Sequence, residues 1–160
     1  MGRYMQDSSN AGHLDRIDRN ILRVLSTEGR IPIAELARRV GLSKSPAQVR
    51  MKRLQAQGYI QGFRAVLDPA KLDLNHVAFA EVKLTDTTEK ALTAFNRAVA
   101  DVHEIEECHM IAGSFDYLIK VRTKDIQSYR RVLGEVISAL PHVGATSTHV
   151  SMQAVKESGV

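Results

Sequence analysis

The chain has 160 residues, 44% of them hydrophobic, and its 22 Lys and Arg against 18 Asp and Glu leave a formal charge of +4. That length supports one sizeable core or two small ones. A single cysteine, Cys108, excludes an intramolecular disulfide framework and fits a reducing cytosol, while the lack of a bilayer-length apolar run and of a secretory signal argues against membrane or export. The expected location is cytoplasmic.

Charge is divided unevenly along the chain. Residues 1–64 hold 12 Lys and Arg against 5 Asp and Glu, whereas residues 65–160 hold 10 against 13. Between Glu35 and Asp68 there is no carboxylate, yet Arg38, Arg39, Lys44, Arg50, Lys52, Arg53 and Arg64 fall there. A solvated helix normally mixes signs, and one-sided cationic charge gains from phosphate through counterion release. Two domains are expected, the first of them facing double-stranded DNA.

In chain order, residues 1–13 form a polar leader expected to be disordered. Leu14 to Thr27 alternates charge with Ile17, Ile21, Leu22 and Leu25, the pattern of an amphipathic helix. Ile33, Leu36, Ala37 and Val40 then recur at helical spacing, and Gly41 follows where a helix should stop. Ser45-Pro46-Ala47-Gln48 reads as the next helix start, with Ser45 as N-cap, Pro46 at the first helical position and Gln48 closing a capping box. Its core face is Ala47, Met51 and Leu54. The opposite face carries Val49, Lys52, Arg53 and Ala56, flanked by Arg50 and Gln57 on one side and Gln48 and Gln55 on the other. Two short helices about a tight turn, the second basic and rich in amides, make a helix-turn-helix over residues 33–52 within a domain spanning 14–67. Tyr59 to Leu67 is rich in β-formers and predicts a short wing or an exit strand, and residues 68–75 read as a linker.

The second half, residues 76–157, changes period. His76–Leu84 reads as a strand, Thr88–Ala100 as a helix capped by Thr88 with Leu92, Phe95 and Val99 inward, and Val102–Ala112 as a second strand that holds Cys108 as a packed thiol. After the turn Gly113-Ser114-Phe115-Asp116, Tyr117–Thr123 reads as a third strand. A helix capped by Asp125 buries Tyr129, Leu133, Val136 and Ile137 and stops before Pro141, and Thr146–Val155 reads as the last strand. The expected fold class is therefore α+β, a winged-helix-like helix-turn-helix followed by a ferredoxin-like βαββαβ domain. Apolar residues at both parities of the first strand predict cover on the second sheet face, expected from another copy of the chain.

Four stretches carry a family resemblance: LDRIDRNIL at Leu14–Leu22, GRIPIAELARRVGLS at Gly29–Ser43, the run from Val49 to Phe63 with QGYIQGF at its end, and ECHMIAGSFDYLIKV at Glu107–Val121. Together they resemble the Lrp/AsnC (leucine-responsive, feast/famine) family of transcription regulators, over about residues 14–157. The resemblance implies DNA contacts at Ser43, Lys44, Ser45, Gln48, Arg50, Lys52 and Arg53. It also implies that residues 76–157 bind a small amino-acid effector and oligomerise, as a homodimer assembling into a tetramer of dimers. Effector contacts are implied at Gly113, Ser114, Asp116, Tyr117, Thr146, Ser147 and Thr148. Val49 stands where the family often has a polar residue, open either to a thymine methyl or to local packing. The sequence further resembles regulators of proline catabolism, implying proline as effector and activation as mode, with leucine as the second choice.

Read from the residues alone, Asp116 and the threonines fit a turn and a sheet edge as well as they fit a ligand. A ferredoxin-like enzyme is a competing class, but the histidines show no HxxxH or HExxH spacing and no glycine-rich phosphate loop is present, so neither catalysis, a metal nor a cofactor is expected. An architectural DNA-packing protein indifferent to small molecules shares every feature of the first domain.

Overall fold

The computed structural model describes residues 13–157, so the leader expectation lies, apart from His13, outside the described residues. The chain divides into two compact units between Val66 and Leu67.

The first unit holds α1 (Arg16–Thr27), α2 (Ile33–Val40) and α3 (Lys44–Ala56). Asp15 caps α1 in a reciprocal box: its carboxylate accepts from the Asp18 N–H at 2.8 Å, and the Asp18 carboxylate accepts from the Asp15 N–H at 3.2 Å. Ile21, Leu36, Val40 and Leu54 form the buried centre, with Ile17, Leu22, Leu25, Met51 and Ile60 packed around it. These are the predicted stripes. Gly41 ends α2 at φ 74, a left-handed conformation that would crowd any Cβ against the following carbonyl. The start of α3 differs from expectation. The helix begins at Lys44 with Ser43 as N-cap, which puts Pro46 at its third position. Pro46 has no N–H to offer a capping hydroxyl there, and Ser43 accordingly makes no side-chain cap bond.

No strand forms over Tyr59–Leu67. Its β-formers join no ladder: among the described residues the sheet is built from four strands that all lie beyond this segment. Asp68 then accepts from the Ala70 N–H and opens a short 3₁₀ turn, Ala70–Leu72.

The second unit is the predicted βαββαβ arrangement: β1 (His76–Leu84), α4 (Glu89–Ala100), β2 (Ile105–Met110), β3 (Tyr117–Thr123), α5 (Ile126–Arg131) and β4 (Val143–Val150). The sheet order is β2-β3-β1-β4, antiparallel throughout. Thr88 caps α4 and Asp125 caps α5, each accepting a backbone N–H three residues on. Past Arg131 the second helix loosens into a π turn, Val132–Val136, and a 3₁₀ turn, Ile137–Ala139. Ala78, Ala80, Val82, Phe95, Ile119, Val121, Tyr129 and Ile137 form one core between sheet and helices.

Two strands are displaced from their predicted bounds. β4 starts three residues early because the left-handed His142 (φ 63) turns the chain straight into pairing with Leu84. Gly144 follows there, where a Cβ would stand 2.8 Å from Thr85 Cγ2. β4 ends at Val150, opposite Ala78, with one further bond donated by the Ser151 N–H to the Val77 carbonyl. β2 is shorter than predicted, with an irregularity between Ile105 and Glu107.

Strand pairing also sorts the two sheet faces. Cys108 lies opposite Ile119 on the helix side, where burial pushes its thiol pKa up and leaves it a packed group rather than a nucleophile. His109 lies opposite Leu118 on the far side. That far side carries Phe79 and Leu118, half-buried, together with Lys120 and Arg122, which bind Glu106 and Glu157.

Candidate functional site

The first candidate surface is the outer side of α3. Ala47 and Leu54 are fully buried, so Ser45, Gln48, Val49, Lys52 and Ala56 are turned outward, and all five are exposed. Val49 is 67% exposed, which decides between local packing and an open methyl-bearing surface in favour of the latter. Ser43 and Lys44 stand exposed at the helix start, and the first turn holds no acidic side chain. Unpaired N–H groups and the positive end of the helix dipole there suit a phosphate.

The arginines are disposed differently from the lysines. Arg50 donates from Nη1 to Asp15 Oδ2 at 2.5 Å and to Asp18 Oδ1 at 2.9 Å, and Arg53 donates from Nη2 to Asp18 Oδ2 at 2.5 Å. Helical periodicity alone leaves both free to face DNA. In the fold they lie along the flank of α3 that meets the start of α1, and the Asp18 side chain is 1% exposed. Hydrogen bonds from the Asp18 backbone and from Arg50 hold the Asp15 carboxyl at about 2. A second cluster repeats this on α2. Arg38 and Arg39 bind Glu35, Arg39 also binds Glu28, and the two arginines hold Glu35 at about 2. Among the described residues, Lys44 and Lys52 have no acidic partner.

Sequence reasoning missed Asp18. A carboxylate at i, with Ile21, Leu22 and Leu25 at i+3, i+4 and i+7, sits on the buried stripe of α1, and that spacing was the available signal.

The second candidate surface is the end of the sheet that holds the turn before β3. Val82 pairs with Tyr117 on one side and Thr146 on the other, so the turn, the start of β3 and the start of β4 share one end of the sheet. Gly113 and Ser114 are exposed in the turn. The Asp116 carboxylate is occupied by its own sheet: Oδ2 accepts from the Leu84 N–H at 2.7 Å, and Oδ1 lies 3.6 Å from Lys83 Nζ. It supplies the acceptor that β3 no longer provides beyond Tyr117. Tyr117 is buried on the helix side, packed on Phe95 and donating to Asn96 Oδ1 at 2.8 Å. Thr148 reaches Tyr129 Oη at 2.7 Å on the same side, so Thr146 and Thr148 face the helices while Ser147 faces away. A cleft of about 540 Å³ opens between α4 and β2, and of the seven expected effector residues Tyr117 lines it. Among the described residues, no three His, Cys, Asp or Glu side chains converge as a metal site would need, and no helix is long and apolar enough to cross a membrane.

Comparison with known proteins bears on both surfaces. Residues 77–160 match the Lrp/AsnC ligand binding domain, and residues 14–61 match a winged helix-turn-helix DNA-binding domain. A proline dehydrogenase transcriptional activator of Rhizobium radiobacter is 61% identical over 156 residues, 98% of this chain and 100% of that protein. The leucine-responsive regulatory protein of Escherichia coli is 48% identical over 145 residues, 91% of this chain and 88% of that one. Among solved structures, a Neisseria meningitidis transcriptional regulator in complex with L-Met has a TM-score of 0.85 at 27% identity, covering 91% of this chain and 94% of its own.

Proposed function

The chain belongs to the Lrp/AsnC family of DNA-binding transcriptional regulators, and we propose that α3 enters the major groove while the second unit answers to an amino acid, proline first and leucine second. The relatives are regulators, not enzymes, and the two matched domains are a DNA reader and a ligand binder. One observation carries the assignment of α3: its exposed side is free of acid and holds Ser43, Lys44, Ser45, Gln48, Val49 and Lys52 together. Gln48 has the donor and acceptor pair that reads adenine, Val49 suits a thymine methyl, and the hydroxyls and lysines suit phosphates.

Proline is favoured because the relative 61% identical to this chain is named for activating proline dehydrogenase. The expected role is accordingly activation of proline breakdown, exercised in the cytoplasm by a homodimer that assembles into a tetramer of dimers. The turn at Gly113, Ser114, Asp116 and Tyr117 with Thr146, Ser147 and Thr148 is the proposed effector site, because pairing through Val82 gathers most of it at one end of the sheet. An incoming ammonium would compete with Lys83 for Asp116, which ties occupancy to the geometry at the end of β1.

The test is binding to DNA upstream of the protein's own gene and of a proline dehydrogenase gene, at fixed salt, with each amino acid in turn. A change of about 1–3 kcal/mol with proline is expected. Tight binding indifferent to every amino acid would replace this reading with an architectural one.

A further inference from the structure

We infer that Asp18 is a positioning residue for DNA reading: its buried carboxylate fixes the rotation of α3 against α1 and withholds Arg50 and Arg53 from phosphate, leaving the cationic contacts of α3 to Lys44 and Lys52. The inference rests on α3 being the groove helix.

Geometry carries it. Asp18 is fully buried at the first turn of α1, and both of its oxygens are committed, Oδ1 to Arg50 and Oδ2 to Arg53 and the Asp15 N–H. The two arginines are three residues apart on α3 and so share one flank. Gripping both from a single buried point defines which way α3 is rolled, and a roll about the helix axis decides whether Gln48, Val49 and Lys52 face the groove. Charge argues in the same direction. Asp15, Asp18, Arg50 and Arg53 sum to zero within a few ångströms, so the cluster presents no net cation to DNA and has little counterion-release benefit to contribute. Lys44 and Lys52, exposed and without an acidic partner among the described residues, do.

The experiment compares the salt dependence of binding and the ratio of specific to non-specific affinity across four variants of the full chain. Arg50→Gln and Arg53→Gln remove charge but keep a donor for Asp18, and each should leave the salt slope unchanged. Lys52→Ala should lower it by about one per bound reader. Asp18→Asn takes one negative charge out of the cluster and frees Arg53, while Arg50 keeps Asp15, so the slope should steepen by up to about one and the specificity ratio should fall. A slope reduced by about one in either arginine variant overturns the inference, because that arginine then sits on a phosphate. Thermal unfolding is followed alongside: an Asp18→Asn protein that melts earlier with slope and ratio unchanged reduces Asp18 to a purely structural role and also overturns it. If Asp18→Asn does not fold, the arginine variants decide alone. A Lys52→Ala protein with unaltered affinity and slope fails the groove assignment itself, a different result from failure of the clamp.

Discussion

At the scale of single residues, the carboxylates of the reader unit are as informative as its cations. Asp15 is held at about 2 against an ordinary 3.8, and Glu35 at about 2 against 4.5. Both are depressed in the folded state, so the stability they contribute is complete above their unfolded values and is lost as pH falls through the folded ones. The reader unit should therefore lose stability between about pH 4.5 and 2, and circular dichroism across that range should show a shallower loss in an Asp15→Asn, Glu35→Gln protein. In the second unit, Asp116→Ala removes the acceptor of the Leu84 N–H and should cost about 1–3 kcal/mol in urea unfolding. On the proposed effector assignment the same protein still binds DNA but ignores proline. A retained response would move the pocket away from this turn, with the cleft lined by Tyr117 and Cys108 as the next place to look.

At the scale of elements, the helices were legible because their stripes are regular. Leu36, Ala37 and Val40 in α2, Ala47 and Leu54 in α3, and Phe95 and Val99 in α4 are buried as their spacing requires. Ends were less legible, because a helix or strand stops where its partners stop. β2 stops at Met110, opposite Tyr117, the first residue of β3, and the β-formers of Tyr59–Leu67 join no ladder among the described residues. The left-handed Gly41 between α2 and α3 gives a direct check on the turn. Gly41→Ala should destabilise the reader unit by roughly 1–2 kcal/mol in urea unfolding, although an added Cβ would meet nothing within 4 Å apart from its own backbone and its two chain neighbours. The cost is therefore one of backbone conformation and not of space.

For the whole molecule, two separate cores mean two separable stabilities. Leu54, fully buried among Ile21, Leu36 and Val40, belongs to one, and Ile119 and Val121 to the other. Leu54→Ala should cost about 2–5 kcal/mol, a large share of what so small a unit has to lose. Hydrogen exchange should show protection falling in α1, α2 and α3 while β1 and β3 keep theirs. Loss of protection in both units together would show that they fold as one. Sedimentation at micromolar concentration tests the proposed assembly, and a monomer there would remove the second copy expected on the far side of the sheet.

By itself the sequence determined the two units, the βαββαβ order and the helix-turn-helix, because each rests on local periodicity, capping and turn chemistry spread over long runs of chain, and four stretches of matching residues carried the family resemblance. What only the tertiary structure decided is which charges remain available. Arg38, Arg39, Arg50 and Arg53 lie in a stretch without a single carboxylate, yet Asp15, Asp18, Glu28 and Glu35 fold back onto all four. Asp18 and Arg53 are 35 residues apart along the chain and 2.5 Å apart in space. An ion pair depends on distance in space, and counting charge along a chain cannot register a contact that exists only once the helices have packed.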